Sequence, residues 1–578
     1  MTGESDGDPG SGGSAPFWRR AELGFLGRRS RQVLLLAALT GLLTAGVVAG
    51  FEYLVNEQML SWVESWPLAL QAGAPAVGLV GAALALRYLA GGASPEMSEE
   101  YIHNFHDRHH GLDRGPVPGR VVASAATLGL GGTMGFEGPS IYIGAAIGAA
   151  IQARLTRYFS REDAKTLMVA GAAAGLAAVF KAPATGAVFA LEVPYQDDLA
   201  GRMVLPALCA SAVSYTTFVA LRSTAPLLPI GGSSAFHLVD LGGAIVVGLA
   251  CGVGARVFSW ALRSTKRIAR SGSIAARVTS AGVLLAALAI VSHLVTGTAL
   301  TLGPGYRAVG WALDQHHGLA AVGALLMLRA VAVLVVVGGG GAGGLFIPLV
   351  VEGALLGRIL GGLLGMPASP LYPVLGIAAF LAGGYRTPLT AVMFVAETTG
   401  RPGFVVPALL AAVVSQLVMG SHSIAPDQVA ARAGHLEKRL RLPVSAAVAT
   451  DATTVPSALS VADFVRSYAV GRHTLVAPVV NDGRLVGVID LSGVEAVPRN
   501  RRKRTLVGDA MRGDHPVGRI AWTLREAVSI MEANDVDVLP IVDASDHYVG
   551  LLTTAAILAL GDILDESDDY GPSPSGDV

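Results

Sequence analysis

The sequence predicts a polytopic α-helical membrane protein with two inverted-topology halves, followed by a soluble α/β region. Three observations predict this fold class: an apolar composition, a set of long uncharged runs, and an internal duplication. Of the 578 residues, 52% are hydrophobic and only 15% are charged, against roughly 25% charged in a typical soluble domain. Most of the chain is therefore expected to fold in lipid rather than in water.

The N-terminal segment is predicted to be a disordered cytoplasmic tail. Its first sixteen residues, MTGESDGDPGSGGSAP, are rich in Gly, Ser and Asp, which is typical of disorder and not of a secretory signal. Arginines then crowd the start of the first apolar run, at Arg19, Arg20, Arg28, Arg29 and Arg31. Because positive residues stay on the cytoplasmic side of a membrane, we expect the N-terminus to lie in the cytoplasm.

Long apolar runs follow this tail. About 20 apolar residues suffice to span a bilayer as a helix, and uncharged runs of that order occur at 32–51, 67–86, 203–221, 279–305 and 330–351. Shorter runs, rich in Gly and Ala, occur at 121–136, 138–153 and 166–180. Such runs are typical of close-packed or broken membrane helices, so we expect many helices of unequal length.

The membrane part is duplicated. The stretch GAAAGLAAVFKAPATGAVFALE at 171–192 aligns without a gap with GIAAFLAGGYRTPLTAVMFVAE at 376–397. A second pair, GFEGPSIYIGAAIG at 135–148 and GLFIPLVVEGALLG at 344–357, shares Gly, Pro, Gly, Ala and Gly at the same spacing. Two matches in the same order indicate two related halves.

Both repeated motifs predict the start of a broken helix. Gly135, Gly138 and Pro139 interrupt one segment, and Gly343, Gly344 and Pro348 interrupt the other; Pro is favoured in the first turn of a helix. A helix start offers about half a positive charge and free N–H groups, which suit a small anion. The donors would come from 136–138 and 345–347.

Glu137 lies within the first of these motifs. A charge at the bilayer centre costs about 2.5 to 3.5 kcal/mol on insertion scales, so it should face a polar cavity or a partner. An ionised Glu137 would compete with a permeating anion for the same donors, whereas a protonated or displaced side chain would open the path. The alternative is that Glu137 pairs with a nearby cation such as Arg120.

These motifs resemble those of the CLC family of chloride channels and chloride/proton antiporters. GFEGP at 135–139 is similar to the GREGP or GKEGP motif of the family, GGLFIP at 343–348 to its GxFxP motif, and GGASPE at 91–96 stands where the family has GSGIPE. The resemblance extends over about residues 30–430. It implies transport of chloride or similar anions, not catalysis.

The resemblance also implies an assembly and a set of site residues. It implies a homodimer with one anion pathway per subunit and both termini cytoplasmic, in the cell inner (plasma) membrane. Glu137 would be the gate, and Arg120 would be a pore-facing cation. The residues expected to contact the anion are Gly92, Ala93, Ser94, Phe136, Glu137, Gly138, Leu345, Phe346 and Ile347.

Two departures from the family pattern affect the anion. Gly92 stands where the family commonly has a chloride-coordinating serine, and no tyrosine occurs in SHSIAPDQVAAR at 421–432, where another ligand is expected. We expect weaker central binding or a wider inner vestibule. Fluoride-exporting relatives also lose the serine but tend to carry methionine, so fluoride is an alternative that is not favoured.

A third departure affects proton coupling. In FALEVP at 189–194, Val193 stands where antiporters of the family tend to have a second glutamate. Without this relay, we expect a passive, gated anion channel; the alternative is a chloride/proton antiporter. Glu192 is expected to have a structural role, although it could substitute as a proton carrier.

A soluble domain is expected after about residue 437. LVAPVVNDGRLVGVIDLSGV at 475–494 and DVLPIVDASDHYVGLLTTAAI at 537–557 share a strand, a turn and a second strand leading into a helix. The second copy resembles a CBS module, and two modules usually form a pair. We therefore expect five segments: a tail at 1–30, the membrane domain at 31–430, a linker at 431–440, the CBS pair at 441–566 and a tail at 567–578.

Nucleotide binding by this pair is not favoured. CBS pairs that bind adenine nucleotides often use a Ser or Thr and, three residues later, an Asp. Here the first copy has Asp490 and Gly493, and the second has Thr553 but Ala556. A weak site near Thr553 is the alternative to a dimerising domain without a cofactor.

The remaining candidate features have structural interpretations. A net charge of −1 gives no field for nucleic acid, and the basic run at 500–504 is expected to be a solvated linker in preference to a lipid-headgroup contact. No metal site is expected from His103, His106, Asp107, His109 and His110, nor from Cys209 and Cys251. Glu352 is expected to be a packing or vestibule residue.

Overall fold

We describe the fold from a computed structural model of the full chain. The structure describes residues 17–107, 111–155, 159, 165–222, 227–228, 230, 237–367, 369–430, 440, 442–471, 476–557 and 559. The chain divides into two compact units, Met1–Ala431 and Arg432–Val578. The first is helical and the second is a mixture of helices and strands.

The first unit is a bundle of helices of unequal length. Three of them adjoin a different helical turn, since a π-helix at Tyr53–Leu60 follows α1 and a 3₁₀ turn precedes both α9 and α17. The helices are α1 Phe17–Glu52, α2 Ser61–Glu64, α3 Leu68–Tyr88, α4 Ser98–His106, α5 Val117–Gly129, α6 Glu137–Arg154, α7 Thr166–Phe180, α8 Pro183–Glu192, α9 Val204–Leu221, α10 Leu238–Ser271, α11 Ile274–Thr296, α12 Tyr306–Leu313, α13 Leu319–Gly339, α14 Phe346–Leu363, α15 Leu371–Tyr385, α16 Pro388–Thr399 and α17 Val405–Met419.

Among the described residues, eight helical segments are long and apolar enough to cross a bilayer. Their lengths vary from 18 to 34 residues, as the sequence predicts. They are Arg31–Glu64, Leu68–Tyr88, Gly201–Leu221, Asp240–Ser271, Ile274–Thr296, Leu319–Gly339, Phe346–Leu363 and Pro402–Met419.

The structure corrects two of the predicted runs. The run 330–351 is not one span: α13 ends at Gly339, Gly340 adopts a left-handed conformation (φ 85°), and α14 begins at Phe346. In the run 279–305, the helix ends at Thr296, where Gly297 is left-handed (φ 77°). Glycine adopts this conformation without the steric cost that other residues incur, so apolarity continues where the helix cannot.

The helices repeat in the order that the sequence duplication predicts. A shift of 205 residues superposes the bounds of α7 on those of α15, and a shift of 209 does the same for α6 and α14. Within each half, the paired helices pack through facing glycines: Gly144 against Gly171, and Gly353 against Gly376. A Cβ on any of these four would overlap the carbonyl oxygen of its partner, so small residues let the backbones touch.

The connection that follows each long helix of the repeat also recurs. Lys181 ends α7 with φ 53° and Arg386 ends α15 with φ 57°, both in the left-handed region. Two residues later, Pro183 and Pro388 begin α8 and α16. A charged residue in this conformation is uncommon, and its recurrence at equivalent positions indicates that the turn is part of the repeated design.

The second unit contains two small sheets. Strand β1 (Val476–Asn481) pairs antiparallel with β2 (Arg484–Asp490). Strand β4 (Val538–Val542) pairs parallel with β3 (Gly518–Arg519) and antiparallel with β5 (Tyr548–Thr553). The helices of this unit are α18 Val461–Phe464, extended by a π turn to Val470, α19 Leu491–Glu495, α20 Val507–Ala510 and α21 Leu524–Ala533.

Each sheet of the second unit has its own apolar core. One core gathers Phe464, Val479 and Ile489 around β1 and β2, and the other gathers Leu539 and Leu552 around β4 and β5. The alternation of buried residues along the strands produces these cores, because successive side chains point to opposite faces. Two modules, each with its own core, follow from the two sequence copies.

Candidate functional site

The starts of α6 and α14 meet inside the first unit. Gly135 and Gly344 form an antiparallel bridge, in which each N–H donates to the other carbonyl oxygen, at 2.9 and 2.8 Å. A Cβ on Gly138 would overlap the backbone of Gly343. The two broken helices therefore approach through backbone alone, as expected where the two halves of an inverted repeat meet.

The side chain of Glu137 lies between these two helix starts. It is fully buried, and its Oε1 accepts a hydrogen bond of 3.2 Å from the Ile347 N–H. The Phe346 amide and its own amide also face the carboxylate. Its Oε2 has no hydrogen-bond partner among the described residues. A carboxylate therefore occupies the amide donors of α14, with half of its hydrogen-bonding capacity unused.

Arg120 does not pair with Glu137. Its guanidinium is 4% exposed and forms a salt bridge of 2.9 Å with Glu100. It also donates to the Ser94 carbonyl oxygen at 2.9 Å and to the Tyr142 hydroxyl at 2.8 Å. These contacts hold the Ser94 loop to α4 and α6, so the alternative in which Glu137 is simply a partner of Arg120 does not describe this structure.

The predicted inner residues are placed unequally. The Gly92 N–H donates to the Leu86 carbonyl (2.8 Å), and the Ala93 N–H donates to the Ala90 carbonyl (3.1 Å). Both amides are thus engaged in the turn that ends α3. Ser94 differs, because it lines a cavity of about 390 Å³.

This cavity reaches the residues that precede the two helix starts. Met134, Gly343 and Leu345 form one end of its wall. Its charged wall contains Lys266, whose Nζ lies 2.7 Å from Glu96 and 2.5 Å from Glu99. Arg270 and Arg277 also line it, so three cationic and two acidic side chains surround an opening toward the start of α14.

Tyr385 was missed by the sequence analysis. It is the last residue of α15, it is 3% exposed, and it lines the same cavity. Its ring packs edge-on against Phe189 (5.3 Å between centroids) and lies 6.5 Å from Phe346. The sequence carried a signal for it: in the repeat, Tyr385 aligns with Phe180, so the two halves differ here by one hydroxyl.

Val193 offers no titratable group. It is buried, and its carbonyl oxygen accepts a hydrogen bond of 2.8 Å from the Gln428 side chain. The neighbouring Glu192 accepts from the Leu389 N–H (3.0 Å), the Thr390 N–H (2.8 Å) and the Thr390 hydroxyl (2.6 Å). Glu192 therefore caps the start of α16.

Glu397 makes the equivalent contacts in the other half. It accepts from the Ala184 N–H (2.9 Å), the Thr185 N–H (2.7 Å) and the Thr185 hydroxyl (2.6 Å) at the start of α8. Each half thus caps a helix of the other with a carboxylate, because unpaired N–H groups at a helix start favour an anion. This exchange ties the halves together.

Glu352 lies on α14 and is 1% exposed. Neither of its carboxylate oxygens has a hydrogen-bond partner among the described residues. The charge of Arg329 acts on Glu352; this arginine is fully buried and donates to the Leu300 and Pro304 carbonyl oxygens at 2.6 and 2.9 Å. Glu352 and Arg329 thus place two ionisable groups in the core of the first unit.

A family model described as voltage gated chloride channel matches residues 77–420, which is more than half of the chain. The chain belongs to the CLC family. A CBS domain model matches residues 507–561, in the second unit. The family and the C-terminal CBS region that the motifs indicate are both confirmed.

The curated relatives of this CLC protein are transporters. The H(+)/Cl(−) exchange transporter ClcA of Klebsiella pneumoniae (strain 342) is 27% identical over 405 residues, covering 65% of this chain and 83% of the relative. ClcA of Salmonella typhimurium (strain LT2) is 26% identical over 410 residues, with the same two coverages.

Solved structures share its fold. A slow cyanobacterial Cl−/H+ antiporter has a TM-score of 0.59 at 22% identity, covering 67% of this chain and 94% of that one. A CLC-type fluoride/proton antiporter has a TM-score of 0.58 at 24% identity, covering 69% and 98%. A eukaryotic CLC transporter has a TM-score of 0.58 at 16% identity, covering 90% and 97%.

In the CBS region, the side chains at the two positions expected to contact a nucleotide, Asp490 and Thr553, cap the helices that follow them. Asp490 accepts from the Gly493 N–H at 2.8 Å and from the Ser492 hydroxyl at 2.6 Å. The Thr553 hydroxyl oxygen accepts from the Ala556 N–H at 3.0 Å. Both side chains therefore satisfy a helix start that follows a strand.

The remaining predictions concern the histidine cluster and the two cysteines. Within the described part, no three metal-binding side chains gather. Nε2 of His106 lies 2.7 Å from the Pro194 carbonyl oxygen, whereas His109 and His110 fall outside the described residues. Cys209 and Cys251 are free thiols.

Proposed function

We propose that this CLC protein is a chloride/proton exchanger in which Glu137 both gates the anion path and carries the proton. The observation that supports this most directly is the position of the Glu137 carboxylate on the Phe346 and Ile347 amides. These are the donors that an anion would use at the start of α14, because the N–H groups at a helix start bind a side-chain carboxylate and a free anion alike.

The proposed exchange follows from competition for those donors. An ionised Glu137 fills the site with its own charge, and an incoming halide must displace it. A protonated Glu137 has lost the charge that holds it to the helix start, so the side chain leaves and the halide enters. One carboxylate therefore links proton uptake to anion entry, without a second binding site for the proton at that level.

The names of the relatives favour this function over the passive channel that Val193 suggested. Curated relatives covering 65% of the chain are H(+)/Cl(−) exchange transporters. Because Val193 carries no carboxyl, protons would reach Glu137 through the cavity lined by Ser94 and Leu345. Fluoride is not proposed, since the likeness to the fluoride/proton antiporter concerns the fold alone.

The deciding experiment is flux into liposomes. Reconstituted full-length protein is given an outward chloride gradient at equal pH, and proton movement is followed with a pH indicator. We expect uphill proton movement that stops when chloride is equalised. Chloride flux without proton movement would instead establish the channel.

Glu137→Gln tests the residue. We expect proton movement to fall at least tenfold, to background, while chloride flux persists and loses its pH dependence. Glu352→Gln is the matched control, because it neutralises another buried carboxyl of α14; it should keep coupled movement. Coupled transport that survives in Glu137→Gln would assign the proton to a different group.

The remaining parts of the proposal concern the surroundings of the site. We propose a homodimer with one pathway per subunit in the cell inner (plasma) membrane, with both termini cytoplasmic. Ser94, Phe136, Gly138 and Leu345 would line the path beside Glu137, and Arg120 would act through the Ser94 loop. For the CBS pair we propose assembly without a nucleotide cofactor.

A further inference from the structure

The wall of the cavity contains a hydroxyl that packing does not explain. Tyr385 belongs to an aromatic cluster whose other rings are phenylalanines, namely Phe180, Phe189, Phe346 and Phe394. A phenyl ring would make the same ring contacts. The added hydroxyl must satisfy its hydrogen-bonding groups in a site that is 97% buried, which costs free energy unless it has a partner.

The Tyr385 hydroxyl oxygen lies near the Leu345 N–H, the amide that precedes α14, and near the Ser98 hydroxyl. Tyr385, Ser98 and Leu345 all line the cavity. The next amides, Phe346 and Ile347, face Glu137 instead. Because Tyr385 lines the cavity, its hydroxyl proton can point toward an acceptor there.

Ser98 provides a second donor at the same place. Its Oγ is buried and forms no hydrogen bond of good geometry with any described residue. Ser98 is the first residue of α4 and also lines the cavity. The Tyr385 and Ser98 hydroxyls and the start of α14 therefore converge on one end of the cavity. Among the described residues, no backbone or carboxylate oxygen accepts a hydrogen bond from either hydroxyl.

The nearby carboxylates are occupied elsewhere. Glu96 and Glu99 both bind the Lys266 ammonium, at 2.7 and 2.5 Å. Arg270 and Arg277 add two further cations to the wall. The acceptor that fits this excess of donors and positive charge is a small monovalent anion.

From this arrangement we infer that Tyr385 and Ser98 are the hydroxyl ligands of the anion on the cavity side of Glu137, and that they set its selectivity. This inference rests on the proposed function. They replace the serine missing at Gly92 and the tyrosine missing from 421–432, from different helices. The duplication supports this assignment, since Phe180 occupies the equivalent position of the first half and carries no hydroxyl.

The test is anion binding by full-length protein in detergent, measured by isothermal titration calorimetry with chloride. Tyr385→Phe removes only the hydroxyl and makes the two halves alike. We expect its Kd for chloride to rise about tenfold, because a hydrogen bond to a charged group is lost. Tyr372→Phe is the matched control on the same helix, outside the cavity, and should leave the Kd unchanged.

Selectivity separates a ligand from a packing role. Thiocyanate accepts hydrogen bonds more weakly than chloride, so Tyr385→Phe should lower the preference for chloride over thiocyanate about tenfold. A loss of packing would weaken both anions equally. If Tyr385→Phe folds poorly, Ser98→Ala gives a second readout, with the same direction of change.

The outcomes distinguish the inference from the function on which it rests. Wild-type protein that binds chloride, with Tyr385→Phe and Ser98→Ala variants of unchanged affinity and selectivity, would overturn the inference and leave exchange standing. Wild-type protein that neither binds chloride nor exchanges it for protons would overturn both. Weaker binding with altered selectivity supports the two hydroxyl ligands.

Discussion

Three helix starts in the membrane unit, those of α8, α16 and α14, each face a carboxylate, but the number of hydrogen bonds that the carboxylate accepts differs. At α8 and α16, the carboxylates of Glu397 and Glu192 each accept three hydrogen bonds of 2.6–3.0 Å. At α14, the carboxylate of Glu137 accepts one of 3.2 Å and leaves an oxygen unpartnered among the described residues. Glu137 and Glu192 are buried, Glu397 is partly buried, and all three side chains face positive helix ends.

The number of satisfied hydrogen bonds decides what such a carboxylate does. Each hydrogen bond to a charged group is worth about 1.5–3 kcal/mol, so Glu192 and Glu397 are held in place. Glu137 accepts fewer hydrogen bonds of good geometry, which under the proposed function lets an anion take its place on the Phe346 and Ile347 amides. The membrane unit thus has two carboxylates that cap helix starts and one that, under the proposed function, acts as a movable gate.

The largest effect is expected when the Glu137 carboxylate is removed. Glu137→Ala removes the occupant of the Phe346 and Ile347 amides, so we expect one additional anion to bind per subunit. Bromide difference density in a crystal or calorimetric stoichiometry measures this. Unchanged stoichiometry would mean that those amides are closed to anions even without the carboxylate.

A smaller effect is expected at Glu192 and Glu397, the two carboxylates that cap helix starts. Glu192→Ala should leave the α16 start uncapped and lower the free energy of unfolding by about 3 kcal/mol, as measured by thermal unfolding in detergent. Glu397→Ala should cost about the same, because its contacts are equivalent.

The milder substitutions Glu192→Gln and Glu397→Gln test whether these two carboxylates serve only as helix caps. Both variants should keep proton-coupled transport per folded molecule, since a helix cap stays in place during transport. A loss of proton movement in Glu192→Gln alone would contradict the structural role and make Glu192 a proton carrier.

The smallest effect is expected at a carboxylate cap outside the membrane. Asp490 caps α19 in the CBS region, and Asp490→Ala should destabilise that segment by about 1 kcal/mol. Burial by itself would raise the pKa of Asp490, but the hydrogen bonds from Ser492 and Gly493 and the charge of Arg512 outweigh it and lower the pKa.

The stabilisation of α19 by Asp490 depends on pH. Because the pKa is lower in the folded state, the Asp490 carboxylate stabilises the fold above the ordinary Asp value of about 3.9. This stabilisation is lost as the pH falls through the lowered value. Amide hydrogen exchange of Leu491–Glu495 in the full chain should therefore differ between variant and wild type at pH 7 and converge in acid. A difference that grows in acid would contradict the cap.

The sequence predicted the parts of the fold that have a periodic or repeated signature. The duplication predicted that α7 corresponds to α15 and α6 to α14, because equal spacing of Gly and Pro repeats the same helix breaks. The sequence prediction was wrong where a continuous apolar run is not one continuous helix. The run 330–351 is uniformly apolar, yet glycines at 338–344 end one helix and start the next, and only backbone conformation records that.

By itself, the sequence determined the family, the two halves, the CBS region and Glu137 as the residue to examine, since these depend on local motifs and their order. Only the tertiary structure decided which groups meet: Arg120 with Glu100, Glu192 with Thr390, and Tyr385 with the start of α14. Such contacts join residues 20 to 198 positions apart or lie on different helices. Their energies depend on distance in space, and spacing along the chain does not encode it.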